Sequence, residues 1–248
     1  MSSARALVPF VLLAACHAAD DVNIEDNGDA GTADLGGAVQ VLRGGPLRMP
    51  VEDPGAIDSS TILGVDHNRP PSMLRIVCQN YSGQSFPFCY AGHEGTDFLL
   101  LGGFKAMDAG SAYVVAAAPG RVVEVEDGNY DRCHASVELG DVSCDGYPMR
   151  SNHVVIEHAD YAGRPLRTEY HHMMKGSITV AVGMPVACGQ RLGRIGSSGR
   201  SSLPHLHLNV LQDGEHIDPY AGPYSQKQTY WIEQPAEATV LPPAECRF

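Results

Sequence analysis

The stretch SLPHLHLNV, residues 202–210, contains two histidines that alternate with leucines. Side chains repeat every second residue along a β-strand, so His205 and His207 would share one face while Leu206 and Leu208 share the other. Such a strand presents either a polar face to solvent or two imidazoles to one metal ion. The alternation therefore predicts a strand. Whether its histidines face solvent or bind a metal ion depends on the other histidines and acidic residues of the chain.

The composition favours a β-rich fold. The 248 residues include 27 glycines and 17 prolines, whereas aromatic residues make up 7% and charged residues 19% of the chain. This mixture is typical of turn-rich β proteins. Short β-type runs with Pro-Gly and Asp-Gly turns recur, as in AYVVAAAPGRVVEVEDG at 112–128. We therefore predict an all-β fold with a mainly antiparallel sheet and few or no helices.

The formal net charge of −12 at pH 7 restricts the possible partners. A surface that binds nucleic acid needs a basic face for the phosphate groups, which a strongly acidic chain does not favour. We therefore expect no nucleic-acid partner.

The first 16 residues, MSSARALVPFVLLAAC, have the layout of a secretory signal. One positive charge, Arg5, precedes an apolar run that is too short to span a bilayer as a stable anchor. The final Leu-Ala-Ala-Cys resembles the bacterial lipobox, in which the cysteine, here Cys16, is lipidated. An ordinary signal peptide cut nearby is the alternative. We expect residues 1–16 to be a signal peptide with a lipobox, and the exported protein to be held to a membrane by its lipid alone, facing the periplasm or the cell exterior.

The chain beyond the signal divides into three regions. Residues 17–72 are rich in Gly, Ala and Pro, with nine acidic residues against two arginines between 17 and 60, and we expect an acidic flexible spacer or pro-like segment there. The part at 38–54 is apolar enough to pack on the following domain, and this alternative stays open. We expect the β-rich domain at 73–223 and, at 224–248, a C-terminal tail packed on it.

Six cysteines remain after the signal, and an even number in an exported chain indicates disulfides. None forms a C-x-x-C pair, so a cysteine zinc site is not expected. Two neighbouring pairs each enclose ten residues, and closing such a loop stabilises a fold by about 3 kcal/mol. Among fifteen possible pairings we predict Cys78–Cys89, Cys133–Cys144 and Cys188–Cys246.

Two further clusters contain residues that bind metals. His93 and Asp97 lie four apart in HEGTDFLLL, where the intervening glycine favours a loop leading into a strand. His171 and His172 are adjacent, so a strand would direct only one of them to a shared site. Each cluster alone is also compatible with a surface turn or a solvated strand end. A catalytic zinc site prefers three protein ligands, often two histidines and a carboxylate, which His93, Asp97 and one histidine of the H-x-H pair would supply.

Three motifs occur in a fixed order: H-x-G-x-D at 93–97, Y-x-H at 170–172 and G-x-S-G-R-S-x-x-P-H-L-H at 196–207. Together with the strands between them, they resemble the lysostaphin/LytM-type zinc metallopeptidases over about residues 90–220. The resemblance implies an antiparallel sheet with a substrate groove. It also implies one Zn²⁺ per chain and hydrolysis of peptide bonds in bacterial peptidoglycan.

Carried over position by position, the resemblance assigns His93, Asp97 and His207 as zinc ligands. It assigns His172 and His205 as the catalytic pair on either side of the attacking water.

Tyr90 is a candidate donor to the developing oxyanion, with simple packing as the alternative. The chain departs from the family pattern at Leu203, where a glycine is usual, and in the long loop at 127–152. We predict a zinc metalloendopeptidase that acts, as a monomer, on peptidoglycan cross-links or stem peptides. The alternatives are a non-catalytic relative that binds the cell wall or activates an amidase, and a zinc carboxypeptidase that trims D-Ala termini.

Overall fold

The computed structural model describes residues 42–68, 70, 72–237 and 239–247. The predicted signal peptide, its Cys16 and the predicted spacer as far as residue 41 lie outside these residues. The strands are β1 Leu42–Arg43, β2 Ile57–Leu63, β3 Thr96–Leu100, β4 Tyr113–Val115, β5 Gly120–Glu126, β6 His134–Ser136, β7 Asp141–Ser143, β8 His153–His158, β9 Leu166–His171, β10 Pro185–Val186, β11 Arg191–Arg194, β12 His205–Gln212, β13 Glu215–Ile217 and β14 Glu233–Gln234. One 3-10 turn, Pro54–Ala56, and one α-helix, α1 Gly103–Ala109, complete the regular structure of the described residues.

The main sheet has eight strands, in the order β10-β5-β8-β9-β12-β3-β2, with β13 paired to β12. Every neighbouring pair in it is antiparallel. Strand β12, which contains His205 and His207, lies between β9 and β3. Its register sets His207 opposite Asp97 on one side and His171 on the other. The mainly antiparallel all-β prediction is confirmed, and the sheet brings all three sequence motifs together.

The face of β12 opposite its histidines lies at the centre of the core. Leu206, Leu208 and Val210 are fully buried and pack in one cluster with Phe98 and Trp231. Burying an apolar side chain of this size contributes about 1.5–3 kcal/mol. The apolar face of the predicted strand is therefore fixed against the core, and the imidazoles are held on the other face.

The sheet begins further upstream than the sequence predicts. Leu47, Met49 and Val51, at alternate positions, are fully buried, and β2 forms the last strand of the main sheet. From residue 42 onward the predicted acidic spacer at 17–72 is therefore part of the folded unit, which begins well before residue 73. The segment at 38–54 therefore packs on the domain in its described part, which is the alternative that its apolar residues left open.

Residues beyond 223 also contribute to the core. Trp231 is fully buried and packs edge-on against Phe98, with 6.4 Å between ring centroids. Strand β14 pairs with β1, and a disulfide joins Cys188 to Cys246. The two ends of the described chain are therefore tied to each other and to the sheet.

All three predicted disulfides are confirmed. Cys78–Cys89 closes a loop with an S–S distance of 2.07 Å, and Cys133–Cys144 closes the β6–β7 hairpin with 2.04 Å. Cys188–Cys246 has an S–S distance of 2.04 Å. In the described part of the chain, no helix is long and apolar enough to cross a membrane.

Candidate metal centre

Three side chains from two neighbouring strands and the preceding loop converge on one point. Asp97 Oδ1 lies 2.7 Å from His207 Nδ1 and 3.2 Å from His93 Nε2, and these two nitrogens are 3.1 Å apart. Four-coordinate zinc, with bonds of about 2.0–2.2 Å, separates its ligands by roughly 3.4 Å. The spacing and the two-histidine, one-carboxylate chemistry therefore fit a zinc ion. Among the described residues, these three form the one group of histidine, cysteine and acidic side chains compact enough to hold a metal ion.

Hydrogen bonds fix which ring nitrogen each of these histidines offers. His93 Nδ1 lies 2.8 Å from the carbonyl oxygen of Gly64, and His207 Nε2 lies 2.8 Å from Asn209 Oδ1. Because both oxygens accept, both nitrogens donate their N–H, which leaves His93 Nε2 and His207 Nδ1 with free lone pairs. These are the two nitrogens that face Asp97, so the hydrogen bonds orient both rings to share a metal ion with this carboxylate.

Asn209 is itself held by a second carboxylate. Its side-chain N–H donates to Glu169 Oε2 at 3.0 Å, and His171 Nε2 donates to the same oxygen at 3.1 Å. The hydrogen bond from His171, opposed by burial and aided by Asn209, lowers the pKa of Glu169 to about 2. Glu169 is therefore ionised at neutral pH. It keeps the amide of Asn209 oriented with its oxygen toward His207.

The two proposed catalytic histidines lie beside the three donors. His205 Nδ1 donates to the carbonyl of Leu203 at 2.7 Å, and its Nε2 is 3.5 Å from Asp97 Oδ1. His172 Nδ1 donates to the carbonyl of Ser198 at 2.7 Å. The ring centroids of His172 and His205 are 4.6 Å apart. Each ring therefore has its Nδ1 engaged and its Nε2 available for proton exchange.

The positions of the adjacent histidines His171 and His172 differ from the strand-based prediction. Both His171 and His172 line the same cavity, although consecutive residues on a strand point to opposite faces. His171 is the last residue of β9, and His172 follows it with a φ of 62°, in the left-handed region. This turn of the backbone rotates the His172 ring back to the side of His171, so the expectation that only one would face the site is wrong.

Burial and mutual charge set the ionisation of the site. Burial raises the pKa of Asp97, but the surrounding His93, His205 and His207 outweigh it and hold that pKa well below its usual range. Burial also lowers the pKa of His172 well below its ordinary value, aided by its histidine neighbours. For His205 the burial effect is outweighed by Asp97, which raises the pKa of that ring. The carboxylate is therefore charged, as a cation ligand must be.

Tyr90 lies directly on one of the donors. Its ring stacks on His93 with 4.2 Å between centroids, and both residues line an open cavity of about 700 Å³ above the site. Burial, together with the nearby Asp97, raises the pKa of the Tyr90 phenol, so it keeps its proton and can donate it in a hydrogen bond. The other lining side chains come from β2, β3, β7, the end of β9, β12, and the segments 75–94 and 200–203, which include Leu203.

Sequence reasoning missed Gly64, Glu169 and Asn209 as supports of the donors. Asn209 had a readable signal, because it lies two residues after His207 and so shares its face of β12. Gly64 contributes a backbone carbonyl, for which no residue type is diagnostic. His158 lies outside this centre, where its ring contacts the carbonyl of Pro119 at 2.9 Å and Thr168 Oγ1 at 2.7 Å.

The sequence profile of peptidase family M23 matches residues 91–219, which include all five histidine and aspartate positions of the site. The chain belongs to peptidase family M23. This match confirms the family that the motif order indicates.

The M23 domain of this chain is similar to two curated proteins of Vibrio cholerae serotype O1. Peptidoglycan DD-endopeptidase ShyA is 29% identical over 128 residues, which are 52% of this chain and 22% of ShyA. Peptidoglycan DD-endopeptidase ShyB is 36% identical over 72 residues, which are 29% of this chain and 16% of ShyB. The aligned region thus covers about a fifth of the length of these relatives.

Among solved structures, the M23 domain is similar to the catalytic domain of the antimicrobial peptidase lysostaphin from Staphylococcus simulans. The identity is 27%, the match covers 52% of this chain and 76% of that chain, and the TM-score is 0.35.

Proposed function

We propose that this chain is a zinc-dependent endopeptidase that hydrolyses peptide bonds in peptidoglycan cross-links or stem peptides. The observation that carries the proposal is the convergence of the His93, Asp97 and His207 donors within 4.8 Å, beneath an open cavity. The names of the two curated relatives, both peptidoglycan DD-endopeptidases, support the substrate class.

The proposed roles follow from the atoms that each residue leaves free. Zinc held by such a donor set supplies Lewis acidity, which polarises a carbonyl group and lowers the pKa of water. The Nε2 atoms of His172 and His205 accept a proton from the attacking water and return it to the departing amine nitrogen. The hydroxyl of Tyr90 donates a hydrogen bond to the oxygen that gains negative charge as the carbonyl is attacked.

We also propose that the protein is exported and anchored to a membrane through a lipid on Cys16. The three disulfides support export, because disulfides persist in oxidising compartments outside the cytoplasm. The lipobox-like sequence before Cys16 supports the lipid anchor. An anchored enzyme of this kind would meet peptidoglycan on the outer side of the membrane that holds it.

Digestion of purified sacculi, followed by mass spectrometry of the released muropeptides, tests the proposed activity. An endopeptidase converts cross-linked dimers into monomers, and His205→Ala should lose this activity. His134→Ala is the matched control, because His134 is a partly buried histidine of β6 that lies outside the cavity. Loss of single terminal alanines without monomer release would indicate a carboxypeptidase, and binding without any cleavage would indicate a non-catalytic relative; either result would refute the proposal.

A further inference from the structure

Two arginines at the cavity share a single carboxylate. Arg75 Nη2 lies 2.7 Å from Asp141 Oδ1, and Arg200 Nη2 lies 2.7 Å from Asp141 Oδ2. Both arginine side chains also line the cavity above the metal donors. The cluster therefore has a net charge of +1, in a chain whose formal net charge is −12.

The cluster joins three segments that are each constrained. Arg75 lies three residues before the loop closed by Cys78–Cys89, and its carbonyl accepts a hydrogen bond from Ala91 N, just beyond that loop, at 3.1 Å. Asp141 begins β7, in the hairpin closed by Cys133–Cys144. The backbones that carry the two charges are therefore fixed rather than carried on free loop tips.

Arg200 is tied to the catalytic region by its neighbour in the chain. Ser201 Oγ lies 3.1 Å from His205 Nδ1 and donates to the carbonyl of Leu203 at 2.8 Å. The guanidinium of Arg200 thus projects from a short segment whose next residue contacts a proposed catalytic histidine. A substrate group bound by Arg200 would be held in a defined position relative to the scissile bond.

The donors of the two arginines are only partly used. Each guanidinium has five N–H donors, and in the described part of the chain the hydrogen bonds of Arg75 and Arg200 side chains go to Asp141 alone. The side chains are 57% and 62% exposed, so their remaining donors are accessible from the cavity. A planar fork of this kind matches a carboxylate, which accepts two parallel hydrogen bonds.

We propose that Arg75 and Arg200 form a subsite that binds a carboxylate of the peptide substrate, so that the enzyme selects peptides with a free carboxylate over peptides in which it is amidated. This inference rests on the proposed peptidase function and adds the chemical group that its cavity recognises. Asp141 holds the two arginines together and, as an internal carboxylate, competes with the substrate for them.

The test uses two synthetic cross-linked peptides that differ only in one group, a free carboxylate in one and a carboxamide in the other. The wild-type chain should favour the carboxylate peptide by about tenfold in kcat/KM, mainly through KM, as expected for a solvent-exposed hydrogen bond between charged groups. Arg75→Gln and Arg200→Gln should lower this preference toward one, mainly by raising the KM of the carboxylate peptide. Arg164→Gln is the matched control, since Arg164 is an exposed arginine paired with Asp213 away from the cavity.

Asp141→Asn separates recognition from a structural role. Removing the competing carboxylate should increase the preference for the carboxylate peptide, whereas a merely structural cluster would lose activity on both peptides alike. Equal cleavage of the two peptides by the wild-type chain, or parallel losses in all three variants, would overturn the subsite.

Cleavage of neither peptide by the wild-type chain would count against the proposed function instead. The subsite is then decided by calorimetric titration of the same two peptides into the wild-type and Arg200→Gln proteins. Tighter binding of the carboxylate peptide to the wild-type chain alone would support it, and equal binding of both peptides would overturn it.

Discussion

Asn209 offers a direct way to perturb the proposed metal centre without removing a ligand. It accepts a hydrogen bond from His207 Nε2 at 2.8 Å and donates one to Glu169 at 3.0 Å. Asn209→Ala removes both bonds, so His207 loses the partner that fixes its tautomer and ring orientation. The corresponding partner of His93 is the backbone carbonyl of Gly64, which no substitution removes.

The expected losses of zinc affinity and of folding stability follow from the position of the Asn209 amide. Removing a hydrogen-bond partner of a metal-binding histidine lowers metal affinity by roughly 10–100-fold, which corresponds to about 1.4–2.8 kcal/mol. Asn209 is also buried, so the unpaired N–H of His207 should destabilise the metal-free fold by about 1–3 kcal/mol. We therefore expect the zinc dissociation constant to rise at least tenfold in Asn209→Ala, together with a moderate loss of stability.

Competition with a chromophoric chelator measures the zinc dissociation constant, and urea denaturation measures the stability. Gln212→Ala is the matched control, because Gln212 is a buried amide on the same strand whose partners, Tyr161 and Tyr230, lie away from the donors. It should lose stability but keep its zinc affinity. An unchanged zinc affinity in Asn209→Ala, or an equal loss in both variants, would refute the role assigned to Asn209.

Three further predictions concern stability and location. The double variant Cys133→Ser, Cys144→Ser should lose about 3 kcal/mol of unfolding free energy in urea, because the closed hairpin loop is released; an unchanged midpoint would contradict this. Burial lowers the pKa of His158 below its ordinary 6.5, so the unfolded chain binds that proton more readily and the free energy of unfolding falls as pH drops below about 6.5. The free energy of unfolding of His158→Gln should fall less between pH 7 and 5, and parallel curves for variant and wild type would argue against this. Cys16→Ser should move the mature protein from the membrane to the soluble fraction, and a wild-type protein that is already soluble and unlipidated would disprove the anchor.

The sequence was most informative where side-chain periodicity and fold agree. The alternation around His205 and His207 predicted a strand with one apolar face, and Leu206 and Leu208 occupy the core because a two-residue period leaves no other arrangement. The order of the three motifs predicted the family, since each motif contributes a different part of one site. The cysteine spacing predicted the disulfides.

Other features depend on contacts that no local pattern encodes. The left-handed φ of His172 brings two adjacent histidines to one cavity, whereas strand periodicity separates them. Leu47 and Met49 are buried together with the intervening Arg48, and their packing depends on distant residues such as Trp231, which bridges to Leu47. The pairing of Arg75 with Arg200 through a shared carboxylate joins residues 125 positions apart in the numbering and arises only in the folded chain.

The central claim is that His207 binds zinc, whereas His205, two residues away on the same strand face, acts on the substrate. Zinc content by metal analysis, measured beside muropeptide release for His207→Ala and His205→Ala, tests it most directly. His207→Ala should lose both zinc and activity, because two ligands hold the metal poorly. His205→Ala should keep about one zinc per chain while hydrolysis falls by roughly 10²–10⁴-fold. Equal zinc loss in both variants would contradict the division of roles, and full activity in both would contradict the enzyme itself.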